Sequence, residues 1–181
     1  MNLITKVVLI FATILIIGGG CFTLIYFKDD IFGARSTTTT TTEVSIITTG
    51  ISPEEATYIQ TMNTFDSQVV AAIKAINGLL SNPQISDQAW ADSMSVASGE
   101  IVRLYNAATQ IAVPNQALAQ CHNYYVNNVT NNLYMSLQFI TSAINEGNVA
   151  SLAQAKNYIT AGNFARTQYF NQLSSYVASY H

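Results

Sequence analysis

The stripe Trp90, Met94, Ala97, Ile101, Leu104, Ala108 and Ile111 steps alternately by four and three residues without a miss. That spacing keeps one side of an α-helix apolar and is incompatible with the two-residue period of a strand. Three further stripes keep to the helical period. Met62, Phe65, Val69, Ala72, Ile76 and Leu79 form the first, Leu118, Tyr125, Val129, Leu133, Leu137, Ile140 and Ile144 the third, and Leu152, Ala155, Ile159, Gly162, Ala165, Tyr169, Leu173 and Tyr176 the fourth. Only Val44 to Ile47 alternates, too briefly to build a sheet, and it reads as extended linker.

Punctuation divides the stripes into four helices, at about 53-80, 87-112, 115-146 and 149-179. Ser52, Pro53 and Glu55 make a start signal, with the serine as N-cap, the proline at the first helical position and the glutamate closing a capping box. Asn82 and Pro83 end that helix. Ser86 is the expected cap of the second, with Ile85 and Trp90 set as a hydrophobic staple. Pro114 ends it, and a reversal there lets all four stripes face one core, whereas a kink would leave one long bent member. Gly147 suits the C-cap of the third helix and Asn148 the N-cap of the fourth. The predicted class is all-α, an antiparallel up-down-up-down four-helix bundle over 52-181 with shallow, coiled-coil-like packing and its last helix returning toward the membrane-proximal end.

Ahead of the bundle the chain divides into a short segment 1-6, an apolar run 7-27 and a linker 28-51. From Val7 to Phe27 there is no charge over about 21 residues, enough helix to cross a hydrocarbon core of roughly 30 Å. Gly18, Gly19, Gly20 and Cys21 offer a second reading, a lipoprotein signal with Cys21 as the lipidated residue, and a cleaved signal peptide is a third. Gly18 stands where a lipobox has a branched apolar residue, and the apolar run resumes from Phe22 to Phe27. Both facts weigh for an uncleaved spanning helix. A pilin-type reading fails because Lys6, not glycine, precedes Val7.

Basic residues leave the orientation balanced, with Lys6 on one side and Lys28 and Arg35 on the other. Ser36 and the threonines Thr37 to Thr42 tip it outward, because a charge-free hydroxyl run has the composition of a stalk. The alternative is an unmodified cytoplasmic linker. Charged residues make up only 9% of the chain, against about 25% in ordinary soluble domains. Solubility therefore falls to Asn, Gln, Ser and Thr. Lys74, Arg103, Lys156 and Arg166 are scattered singly, so no basic patch exists to neutralise phosphates, and nucleic acid is excluded as the expected partner.

Chemistry is sparse. Cys21 and Cys121 belong to different parts of the chain and cannot form a disulfide framework; Cys121 reads as a small buried hydrophobe. Cys121, His122, Tyr124 and Tyr125 gather polar groups on two turns of one helix. His122, Tyr125 and Tyr169 are the candidate lining of a ligand pocket, next to the smaller Gly162 and Ala165, and a hydrogen-bonded core histidine is the competing reading. No Glu-x-x-His pair, Cys-x-x-Cys-His, Gly-x-Ser-x-Gly or phosphate-cradling glycine loop occurs, and His181 lies beyond the last stripe. Neither a metal nor a cofactor nor enzymatic activity is expected. Asn128, Val129 and Thr130 form a glycosylation sequon, with Asn128 beside the core stripe.

Pro114, His122 and Tyr125, followed by the Glu146, Gly147, Asn148 turn and the Leu152, Ala155, Ile159 spacing, resemble helical domains of uncharacterised membrane-anchored or lipoprotein-type prokaryotic surface proteins. The resemblance covers the last two helices. It implies an envelope protein and brings no activity or site residue with it. The expected function is a membrane-tethered structural or interaction module that meets a protein partner or a second copy of itself; the alternative is a small-ligand sensory bundle working through a partner.

Overall fold

The computed structural model describes residues 50–180. The apolar run 7-27 with Cys21, the threonine stalk and His181 lie outside the described residues. Among the described residues every regular element is a helix, and none is long and apolar enough to cross a membrane. We number four: α1, Pro53–Ser81; α2, Gln88–Ala108; α3, a continuous rod over 116–146; and α4, Val149–Ala178. The expected all-α class and four long helices are present.

Their directions follow from the residues that touch. Trp90 donates its indole N–H to the Leu79 carbonyl at 3.0 Å, and Arg103 reaches Gln68 at 2.8 Å, so α2 runs opposite to α1. The Tyr125–Tyr169 and Phe139–Tyr158 ring pairs set α4 opposite to α3. Tyr58 and Asp66 of α1 meet His122 and Tyr125 of α3 in the same order, so those two helices are parallel. Ser52 caps α1, accepting from the Glu55 N–H at 3.2 Å while the Glu55 carboxylate accepts from the Ser52 N–H at 2.8 Å. Gly147 ends α3 in the left-handed region at φ 66°, and the Asn148 side chain caps α4.

Several boundaries differ from the spacing, each for a local reason. The cap of α2 is Asp87, not Ser86: its carboxylate accepts from the Ala89 and Trp90 N–H groups, and a charged acceptor suits a helix N-terminus. The helix stops at Ala108, ahead of the expected 112, and His122 bonds the Ala108 carbonyl. The chain then reverses through 109–115, with Asn115 as the cap of α3. Leu80 is fully buried in place of Leu79, Ile111 is half-buried, and Val177 takes the core position beside a half-buried Tyr176.

One element escaped the spacing altogether. The rod α3 is α-helical over Gln116–Tyr124 and Asn131–Glu146 but π-helical over Tyr125–Thr130. Tyr125, Val129, Leu133 and Leu137 step by four residues three times, and all are buried. An α-helix of 3.6 residues per turn would drift away from the core over such a run, and one wider turn restores the register. Carbonyls along this stretch are served by side chains: Asn128 donates to Tyr124, Thr130 to Val126 and Asn132 to Asn128.

Candidate functional site

Apolar packing brings large polar side chains to the line where α1 faces α3 and α4. Tyr58, one turn beyond the capping box, is buried with its hydroxyl 3.2 Å from His122 Nδ1 and 3.3 Å from the Tyr169 hydroxyl. His122 Nε2 lies 3.0 Å from the Ala108 carbonyl. A carbonyl only accepts, so in the neutral imidazole Nε2 carries the hydrogen and Nδ1 accepts from Tyr58. The Tyr58 oxygen in turn accepts from Tyr169, which makes one directed relay across four helices.

A second cluster adjoins the first through the edge-to-face rings of Tyr125 and Tyr169, whose centroids are 4.8 Å apart. Tyr125 donates to Asp66 Oδ1 at 2.6 Å, and Arg166 grips the same carboxylate with Nε at 2.7 Å and with Nη2. Arg166 Nη1 also donates to Asn163 at 2.8 Å. Asp66 is 1% exposed and Arg166 5% exposed, so this ion pair is inside the bundle. A third cluster closes the base. Glu55 Oε1 accepts from Asn115 at 2.5 Å, from Tyr180 at 3.2 Å and from Tyr176, tying the start of α1 to the start of α3 and the end of α4.

Electrostatics follow from these partners. Burial pushes the Tyr58 phenol up to about 12 and the Tyr169 phenol higher still. Tyr125 is raised by burial and by the Asp66 charge, and stays a neutral donor. Burial lowers His122, against the pull of the Ala108 carbonyl, and so favours the neutral ring. Hydrogen bonds from Tyr176 and from the Ser52 backbone hold Glu55 below the usual carboxylate range. Burial opposes the charge on Arg166, and the hydrogen bond and charge of Asp66 outweigh it.

The three residues singled out in the sequence, His122, Tyr125 and Tyr169, thus stand together, and their polar atoms bond to protein partners. An open surface hollow is lined by Pro83 to Asp87, at the opposite end of the bundle. No group of His, Cys, Asp and Glu suited to a metal occurs among the described residues. Cys121 is a free, half-buried thiol that burial pushes up, away from thiolate chemistry. Tyr124 packs half-buried on the core. Asn128 lies in the π turn with its amide nitrogen engaged, and the Thr130 hydroxyl of the same sequon is buried.

Tyr58, Asp66 and Arg166 are the cluster members that spacing did not single out. A signal existed for the charged pair. Asp66 lies four residues after Met62 and three before Val69, and Arg166 four after Gly162 and three before Tyr169, which sets opposite charges on the inward faces of two helices in a chain with few charges. No known family model, curated protein or solved structure matches this chain.

Proposed function

We propose that this chain is a membrane-tethered, extracytoplasmic up-down-up-down helical bundle that serves as a structural or protein-interaction module of a prokaryotic cell envelope, without enzymatic activity of its own. One observation carries the reading: Gly50 lies against Tyr180, so the chain enters and leaves the bundle at one end. An anchor at 7-27 joined through the threonine stalk then holds that base toward the membrane and presents the opposite end, with the 82–87 and 147–148 turns, outward. The polar clusters add support, because their Tyr, His, Asp and Arg groups bond to one another.

The partner is another protein or a second copy, met through a neutral surface rich in amides and aromatic rings. Tyr105–Tyr134 and Phe139–Tyr158 stack at centroid distances of 4.8 and 5.3 Å, each pair half-buried, and Phe164 is 65% exposed on α4. Crosslinking and affinity isolation of the tagged full chain from intact native membranes, paired with protease shaving, test the reading. Release of the bundle from intact cells and a specific crosslinked partner are expected. A domain that resists protease until the cells are broken would reverse the orientation, and intact mass of the purified chain separates a spanning helix from lipidation at Cys21.

A further inference from the structure

The relay through His122 has only one stable direction. Tyr169 donates to Tyr58, Tyr58 donates to His122 Nδ1, and His122 Nε2–H donates to the Ala108 carbonyl, so each hydrogen has an acceptor. A proton added at Nδ1 turns that nitrogen into a donor aimed at the Tyr58 oxygen. The Tyr58 hydrogen must then leave Nδ1, and whether it turns to Tyr169 or the Tyr58 oxygen accepts from both neighbours, one buried hydroxyl hydrogen of the pair is left without an acceptor among the hydrogen bonds of the described residues. Buried donors without partners and buried charges without counterions are both unfavourable.

The surroundings offer the imidazolium no relief. From α1 it is faced by the Tyr58 phenol, from α2 by the Ala108 carbonyl, and from α4, through Tyr58, by the Tyr169 phenol, while the Cys121 thiol of its own helix lies toward the two phenols. Asp66 is gripped by Arg166 and Tyr125, and Glu55 by Asn115, Tyr176 and Tyr180. Among the described residues both buried carboxylates are thus already engaged elsewhere. The seam that carries the relay is also the wider one: α1 and α4 approach each other through long side chains, whereas α3 and α4 lie close together, with Gly162 against the Val129 carbonyl and Leu133.

We propose that the His122–Tyr58–Tyr169 relay is an acid-sensitive latch: protonation of His122 reverses the relay and frees the N-terminal half of α1 from the α3–α4 hairpin, while that hairpin stays folded. The proposal does not depend on the membrane tether or on the identity of a partner.

Amide hydrogen exchange on the full chain in detergent micelles tests it, read as protection factors so that the intrinsic pH dependence of exchange drops out. Between pH 7.5 and 5.5, above the range in which Glu55 titrates, residues 53–66 are expected to lose protection at least tenfold while 133–146 and 150–165 change less than threefold. His122→Asn should abolish the pH response. Should that variant fail to fold, Tyr58→Phe keeps the ring in the core and removes the hydroxyl; it is expected to weaken the seam already at pH 7.5 and to cut the response between the two pH values to less than threefold. Loss of protection in all four helices together would overturn the latch, as would a full wild-type response in either variant or an unchanged seam at pH 5.5 with the His122 ring protonated by NMR.

Discussion

Helix α4 builds two unlike seams with the same thirty residues. Toward α3 it offers Tyr158, stacked on Phe139, and Gly162, where it comes so close that a Cβ would lie 3.2 Å from the Val129 carbonyl and 3.3 Å from Leu133. Toward α1 it offers Arg166, Tyr169 and Tyr176, long side chains that hold the helices apart and join them through polar groups. Dispersion and close packing hold the first seam, and they depend little on pH. Directed hydrogen bonds and a buried ion pair hold the second, and each needs a defined protonation state. A bundle can therefore have one edge that is permanent and one that is conditional.

Breaking the polar seam should have the largest effect. Arg166→Met leaves the Asp66 carboxylate buried with Tyr125 alone, and about 3 to 5 kcal/mol of stability should be lost in urea unfolding of the full chain. Asp66→Leu combined with Arg166→Met removes both charges, and most of that loss should be recovered. A double variant as unstable as the single one would mean that the pair holds the seam by more than mutual compensation.

The packed seam should respond to size instead of charge. Gly162→Val pushes methyl groups into the Val129 carbonyl and Leu133, and it should cost about 1 to 3 kcal/mol with no change in the pH dependence of thermal unfolding. A neutral effect would show that the π turn can retreat. Glu55→Gln comes next, with a loss of about 1 kcal/mol as charge-assisted bonds to Tyr176 and Asn115 weaken.

That variant also carries a pH signature. The Glu55 carboxylate is held below 4.5 in the folded state, so its contribution is complete above about 4.5 and is lost as the pH falls through the folded value. His122 has the same sign at higher pH, since its folded value is lowered from 6.5; the stability it lends is full above that point and declines on acidification. Thermal midpoints recorded from pH 8 to 3 should therefore fall in two stages, the lower one missing in Glu55→Gln. The smallest effect belongs to the surface. Arg103 and Glu100 are paired at 2.7 Å but half-exposed, and Glu100→Gln should change stability by less than about 0.5 kcal/mol.

How far the sequence could be read differed between these seams. Spacing alone placed the inward faces of all four helices, because burial of an apolar stripe repeats at the helical period whatever the partner. It placed the Ser52–Glu55 box, Gly147 and Asn148, since caps depend on the residues within one turn. It missed by one residue at Ser86, where two adjacent hydroxyl and carboxyl residues compete and the local geometry chose Asp87. The π turn left a trace in the run of four-residue steps from Tyr125 to Leu137, which a strict three-four reading passes over.

Within the polar clusters the sequence pointed to His122, Tyr125 and Tyr169; Asp66 and Arg166 stand at inward positions of two stripes but read only as scattered charge, and nothing local showed their pairing. Residues 66 and 166, or 58 and 122, are separated by whole helices, and only the arrangement of those helices brings them together. What the chain determined by itself is local: helical period, caps, breaks, and a composition poor in charge. The tertiary structure alone decided which hydroxyl donates to which nitrogen, which carboxylate meets the guanidinium and which seam is wide. Those depend on distances between helices, set by side-chain volumes on two or three elements at once.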